Sequence, residues 1–305
     1  MSLPPIIFPE ALKPGDTIAI CSPAGSVEPN KVHEAVKVLE EQGWKVKIMP
    51  HALGKYGNYS APADNRLSDF KEAMSDPEVK AILCSRGGYG VVHILEDIDR
   101  LNLRSNPKWI IGFSDISALH AMAIRSGVAS IHASMAGHIM KGADDPDNDA
   151  LFAILRGERP VFTFPSSSQF DRPGTAAGRL VGGNLAVLAQ LIGTRYDVFE
   201  PGTILFIEDI AEPIYKIERI FYQLRMSGVL PNLAGLIVGQ FTEYHPDKNY
   251  KTMEAMIYDM VAPYSYPVAF NVPIGHVNHN IPVIENAMVT LKVTNTGVNS
   301  LIYWN

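Results

Sequence analysis

The chain has 305 residues, 47% hydrophobic and 19% charged, with a net charge of −6 from 26 Lys and Arg against 32 Asp and Glu. That length fits two domains of about 100–200 residues each, and the composition fits a globular protein with a large core. The acidic balance, with its basic residues scattered, excludes the footprint of a nucleic-acid binder, and no apolar stretch approaches the ~18 residues needed to span a membrane.

Taken in chain order, the first half alternates strand and helix. DTIAICSPAG is an apolar run closed by a turn, and Pro29–Gln42 reads as an amphipathic helix with Val32, Ala35, Val36, Leu39 and Glu40 at helical spacing. WKVKIMP, VKAILCSRGGYG, KWIIGFSD and ASIHAS read as further strands, separated by helices over Ala63–Ser75, Val91–Asp97 and Ile116–Ser126. Strands alternating with helices imply a mostly parallel sheet. The Ser-, Pro- and Gly-rich stretch VFTFPSSSQFDRPGTAAG breaks this pattern. The expected organisation is therefore an N-terminal α/β domain over 1–160, a linker over 161–177 and a smaller mixed α/β domain over 178–305. In the latter, TILFIEDI, LAGLIVGQF, YPVAFNVPIGH and AMVTLKVT read as β segments, with helices around Tyr215–Ser227 and Thr252–Ala262.

Cys21 and Cys84 both lie in apolar β-like runs. Two such residues make neither a disulfide framework nor a Cys-rich zinc site, and reduced, buried thiols are the expectation. The N-terminus MSLPPIIFPEALKPGD lacks the basic n-region and apolar h-region of a secretory signal, so a cytoplasmic location is expected. No His-x-x-x-His, Cys-x-x-Cys or Asp-rich loop is present, and neither a metal nor another cofactor is expected.

Chemistry in α/β folds gathers on the loops at strand ends. In KWIIGFSDISALHAMA an apolar strand ends at Gly112-Phe113-Ser114-Asp115 and a helix follows at once. A serine on such a turn has the setting of a nucleophile elbow, although Ser117 stands where the motif has its last Gly. A plain helix cap by Ser114 or Asp115 is the alternative. A serine needs a base, usually His, oriented by a carboxylate. Of nine histidines, His276 ends the segment AFNVPIGH after a Gly, with His279 its nearest rival, while His120 reads as a surface or packing residue. Glu208 and Asp209 end the apolar run TILFIED, and Glu212 lies further into the loop. The turn Ser85-Arg86-Gly87-Gly88-Tyr89-Gly90 lacks the G-x-G-x-x-G fingerprint. It suits an oxyanion or carboxylate cradle, because glycines allow close backbone approach and Arg86 offers a bidentate partner. Gly182-Gly183-Asn184 before an apolar helix is either a substrate contact or a helix start capped by Asn184.

ICSPAG, NYSAPADNRLSDF, AILCSRGGYG, IIGFSDISAL, RLVGGNLAVLAQLIGT, LFIEDIAEPIYKIERIFYQL and IGHVNHN occur in this order along nearly the whole chain. The ordered set resembles the LD-carboxypeptidase family of serine peptidases, which includes the muramoyl-tetrapeptide carboxypeptidases and the microcin-immunity hydrolases. The resemblance implies a nucleophile at Ser114, an acid at Glu208, a base at His276 and oxyanion amides at Gly88 and Asp115. It also implies a flavodoxin-like N-terminal domain, a C-terminal α/β domain with a barrel-like sheet, a homodimer, and release of a C-terminal D-amino acid from a muropeptide. Hydrolysis of aminoacyl-nucleotides and non-catalytic muropeptide binding are the competing readings. The chain departs from the family pattern at His132-Ala133-Ser134 and at His276-Val277.

Overall fold

Four of the five strands in the first half of the chain are buried along all or nearly all of their length. In the computed structural model, which describes residues 3–166, 168–295 and 297–304, Pro4–Glu158 form one unit together with Ile281–Glu285. Its elements are β1 (Thr17–Cys21), α1 (Pro29–Glu41), β2 (Lys45–Ile48), α2 (Ala63–Ser75), β3 (Val79–Cys84), α3 (Leu95–Asp99), β4 (Trp109–Gly112), α4 (Ser117–Arg125), β5 (Ser130–His132), α5 (Ala136–Ile139) and α6 (Pro146–Leu155). The five strands are parallel and lie in the order β5-β4-β3-β1-β2. Every residue of β1 and β4 is buried, and every residue of β3 but Lys80. A parallel sheet covered on both faces demands this, which is why these strands read as unbroken apolar runs. Parallel strands also send the loops after β1, β3, β4 and β5 out along one edge of the sheet, the edge that holds ligands in doubly wound folds.

Local differences from the sequence-based expectations have plain causes. α1 buries Val32, Ala35, Val38 and Leu39. Val38 thus takes the core position expected of Val36, and Glu40 keeps its carboxylate in water. The helix expected over Val91–Asp97 splits into a 3₁₀ turn at Val91–His93 and α3, with Ile94 between them off helical geometry. The helix after β4 likewise begins as a 3₁₀ turn, Ser114–Ile116, before continuing as α4.

The second unit, built mainly from Arg159–Asn280 and Asn286–Asn305, holds β6 (Val161–Pro165), β7 (Gly174–Asn184), α7 (Leu185–Ala189), β8 (Ile204–Ile210), α8 (Ile214–Met226), β9 (Gly235–Thr242), α9 (Met253–Val261) and β10 (Val268–Ala269). β11 (Val283–Glu285) then pairs antiparallel with β5 in the first sheet, and β12 (Met288–Val293) and β13 (Val298–Tyr303) complete the second. The second sheet has the order β10-β9-β8-β7-β12-β13-β6, parallel from β7 to β10 and antiparallel beyond. It forms no closed barrel among the described residues. The stretch 161–177, expected as a linker, carries β6 and the start of β7. β6 is an edge strand that buries only Phe164, so its hydrophobic signal is faint beside the Ser, Pro and Gly that follow.

Candidate active site

The turn that carries Ser114 is strained. β4 ends at Gly112, Phe113 is extended, and Ser114 sits in the left-handed region at φ +66°. A non-glycine residue held there costs on the order of 1–3 kcal/mol and persists only where its surroundings fix it. Those surroundings are tight. A β-carbon on Gly112 would lie 3.0 Å from Ile116 Cγ1 and 3.2 Å from Cys84 Cβ. Strand, strained serine and helix follow in the sequence that lifts a hydroxyl clear of a sheet.

The glycine-rich loop after β3 presses against this serine. A β-carbon on Gly87 would lie 2.8 Å from Ser114 Cβ and 3.0 Å from its Oγ. Gly87 is buried and Gly88, at φ +106°, is exposed. Among the described residues of this unit, neither the Gly88 nor the Asp115 amide donates a backbone hydrogen bond. Two amides beside a serine at a helix start are suited to receive negative charge. The Asp115 side chain acts elsewhere, its carboxylate accepting from the Val91 amide at 2.9 Å. Burial pushes that carboxyl upward, and the Val91 and Gly90 amides only partly offset it. Arg86 is exposed, with one Nη donating to the Ser26 carbonyl at 2.8 Å.

In the second unit, Glu208 and His276 meet. His276 Nδ1 lies 2.7 Å from Glu208 Oε2, with Glu208 fully buried and the His276 side chain 18% exposed. Burial of the imidazole disfavours its charge, but the hydrogen bond and charge of Glu208, with Asp209 and Glu243 beyond, outweigh it and raise its pKa. A carboxylate only accepts, so Nδ1 carries the proton and Nε2 keeps its lone pair. This is the tautomer a general base needs. Gln240 N donates to the Ile274 carbonyl at 2.9 Å and Gly275 N to Asn280 Oδ1 at 2.8 Å, which fixes the loop holding His276.

Asn184 and Asp209 support this arrangement. Asn184 caps α7, its Oδ1 accepting from Val187 N at 3.2 Å, while its Nδ2 donates to Asp209 Oδ1 at 3.0 Å. Asp209 also accepts from Ala186 N at 2.9 Å, and burial followed by the Glu208 charge pushes its pKa up to about 6. The rivals stand apart in role: His279 is exposed, and Glu212 pairs with Lys216 at 3.3 Å. Among the described residues, one group has metal-ligand types within reach of one another, His138, Asp145 and Asp147, with ligand atoms within 4.8 Å. Asp145 there accepts from the Asp147 and Asn148 amides as the cap of α6, a structural duty.

Residues 18–133 match the LD-carboxypeptidase N-terminal domain, and residues 177–291 match the LD-carboxypeptidase C-terminal domain. The chain belongs to the LD-carboxypeptidase family. Ser114 falls within the first matched region, and Glu208 and His276 within the second. The probable murein peptide carboxypeptidase of Bacillus subtilis (strain 168) is 36% identical over 291 residues, which cover 93% of this chain and 91% of that protein. The crystal structure of muramoyltetrapeptide carboxypeptidase from Oxalobacter formigenes superposes with a TM-score of 0.85 at 26% identity, covering 95% of this chain and 99% of that one. The microcin C7 self-immunity protein MccF, in complex with aspartyl sulfamoyl adenosine, shares the fold with a TM-score of 0.85 at 20% identity, over 98% of this chain and 99% of its own.

Two braces in this LD-carboxypeptidase family member carry no sequence signal of their own. Arg66 on α2 is buried and donates to the carbonyls of Ala61, Pro23 and Gly90 and to His93 Nδ1. It thereby ties the loop after β1 to the glycine-rich loop. His120, expected as a surface or packing residue, is fully buried. Arg66 lies inside NYSAPADNRLSDF, but only its burial distinguishes it from an ordinary helix-surface arginine.

Proposed function

We propose that the chain is a serine LD-carboxypeptidase that removes the C-terminal D-amino acid, D-Ala, from a murein tetrapeptide. Ser114 Oγ attacks the carbonyl of the scissile L,D-bond while His276 Nε2 takes its proton. Glu208 accepts from Nδ1–H, which holds the tautomer and stabilises the imidazolium. The amides of Gly88 and Asp115 receive the developing oxyanion, each such donor being worth about 2.7–4 kcal/mol of barrier in comparable enzymes. The tetrahedral intermediate collapses with cleavage of the C–N bond, and His276 returns the proton to the leaving amine. A water then attacks the acyl-enzyme, its proton passing to His276; the bond between the acyl carbon and Ser114 Oγ breaks, and His276 returns the proton to Oγ.

The observation that carries this reading is the Glu208–His276 pair, in which the carboxylate holds Nδ1 at 2.7 Å and so sets the tautomer of the imidazole. The strained serine pressed against Gly87 supports it from the other half of the chain, as do relatives and a structural neighbour named for murein peptide hydrolysis. Arg86, exposed and bidentate by nature, is assigned the substrate's terminal carboxylate. Asn184, whose side chain holds Val187 and Asp209, is assigned to bracing the acid.

The strand order 2-1-3-4-5 of the first unit supports the flavodoxin-like description. An isolated bridge between Arg172 and Val268 on β10 supports a barrel-like curl of the second. A cytoplasmic homodimer remains part of the proposal on the family resemblance. The decisive assay incubates the protein with L-Ala-γ-D-Glu-meso-Dap-D-Ala and follows free D-Ala, alongside an aminoacyl-nucleotide and the Ser114→Ala, Glu208→Ala and His276→Ala variants. D-Ala release lost in all three variants supports the proposal. Wild type with no release, or Ser114→Ala as active as wild type, rejects it.

A further inference from the structure

His120 lies one turn into α4, the helix that follows Ser114, and is fully buried. Both ring nitrogens are engaged. Nδ1 is 2.8 Å from Ser130 Oγ on β5, and Nε2 is 2.8 Å from the Gly112 carbonyl at the end of β4. A carbonyl can only accept, so Nε2 bears the proton and Nδ1 accepts from the Ser130 hydroxyl. The Glu285 carboxylate on β11 stands further off, 3.9 Å from Nε2. Burial lowers the pKa of this histidine to about 4, against the smaller upward pull of the Gly112 carbonyl, so the ring is neutral and held in one tautomer. The Gly112 carbonyl receives a second donor, the Ala133 amide at 3.1 Å. Two donors from different elements therefore grip the last carbonyl of β4, two residues before a serine held at φ +66°.

We infer that His120 is a positioning residue for the nucleophile: its Nε2–H holds the Gly112–Phe113 peptide so that Ser114 stays in the strained conformation that presents its Oγ. The inference rests on Ser114 being the nucleophile proposed above. A histidine that merely filled the core would act on stability alone. A positioning histidine sets the geometry of attack, which enters kcat and the reactivity of the hydroxyl but not the affinity for substrate. Its worth depends on a donor at one place, so glutamine, whose amide nitrogen reaches as far as Nε2, should restore what a hydrocarbon removes.

The test uses the full chain with His120→Leu, His120→Gln and Ser130→Ala. Three quantities are read: kcat and KM for D-Ala release, the rate at which a fluorophosphonate labels Ser114, and Tm. His120→Leu is expected to lower kcat and labelling together by about 10²-fold, the loss typical of a misplacement of about 1 Å, with KM little changed. His120→Gln should recover most of that loss. Ser130→Ala, which deletes a single hydroxyl, frees Nδ1 to take the proton, removes the donor from Gly112 in part of the population, and should lower labelling several-fold. Where His120→Leu does not fold, His120→Gln and Ser130→Ala decide. A wild type that labels, with the folded variants labelling at the same rate, overturns this inference alone, as does a His120→Gln no better than a folded His120→Leu. A wild type that neither labels nor releases D-Ala overturns the nucleophile assignment and this inference with it.

Discussion

A β-carbon on Gly275 would lie 2.8 Å from Glu208 Cβ and 2.9 Å from its Oε2, at a residue whose φ is +123°. The residue before the candidate base is thus glycine for two reasons, backbone conformation and the closeness of the candidate acid. Gly275→Ala would have to move the Glu208 side chain from its β-carbon outward or the loop that holds His276, and either shift disturbs the Glu208–His276 pair. The substitution is expected to cost about 1–3 kcal/mol of stability from the unfavourable backbone alone. It should also lower kcat by about 10²-fold through the displaced acid. Thermal unfolding and steady-state kinetics on the same preparation check both. Activity at the wild-type level would show that the Glu208–His276 distance does not matter.

Gly87 plays the matching part in the other unit. A β-carbon there would meet Ser114 Cβ at 2.8 Å and Oγ at 3.0 Å, with the Phe113 carbonyl at 3.3 Å. Gly87→Ala should push the serine off its position and slow fluorophosphonate labelling by about 10²-fold. Because Gly87 has no positive φ, the loss of stability should be smaller than for Gly275→Ala. Labelling unchanged from wild type would mean that the glycine-rich loop yields to the new methyl without disturbing the hydroxyl.

The ionisation of His276 sets a pH dependence with a definite sign. Burial opposes the imidazolium, but Glu208, Asp209 and Glu243 together raise the pKa above its ordinary value of about 6.5. A general base must be neutral, so the rise of kcat/KM with pH should have its midpoint above about 6.5. Glu208→Gln removes the largest favourable charge and should shift that midpoint downward, while lowering kcat by about 10²–10⁴-fold through loss of tautomer control. Stability follows the same linkage. A group whose folded pKa is raised contributes stabilisation that is complete below its unfolded pKa and is lost as pH rises through the folded one. The stability difference between wild type and Glu208→Gln should therefore shrink as the pH climbs past the wild-type kinetic midpoint. A midpoint unmoved by Glu208→Gln would show that the buried carboxylate does not set the base.

How much of this is legible in the chain depends on how local each signal is. β1, β3 and β4 announce themselves because burial on both faces leaves no polar residue to interrupt the run. Ser114 is visible as a serine between an apolar strand and a helix, yet its left-handed backbone is not, since nothing in Gly-Phe-Ser-Asp requires it. β6 is an exposed edge, and β11 is a three-residue strand whose partner β5 lies about 150 residues upstream, so neither carries a readable period. The roles of Arg66 and His120 depend on carbonyls brought to them by distant loops and strands. Their sequence neighbourhoods look like ordinary helix faces, and only the folded chain shows which side of the helix each occupies. Asn184 can be read as a cap from its position before an apolar helix, but its second bond, to Asp209, is a tertiary fact.

The two cysteines give a prediction about accessibility. Cys21 and Cys84 are free, fully buried, and opposite one another in register on β1 and β3. Burial pushes both thiols upward, with each of their surrounding acids adding to the effect: Asp69 and Glu72 for Cys21, Asp115 for Cys84. The thiolate is the reactive species, so low thiolate content and lack of access act in the same direction. Ellman's reagent at neutral pH should find no reactive thiol in the native protein and two after denaturation, the number in the sequence. Modification in the native state should proceed only as fast as the sheet opens, and loss of D-Ala release should keep pace with it, because β3 leads directly into the Ser85–Gly90 loop against Ser114. Fast modification of either thiol without loss of structure would show that the β1–β3 centre of the sheet is open to solvent, and that the support beneath Ser114, the proposed nucleophile, is looser than its burial implies.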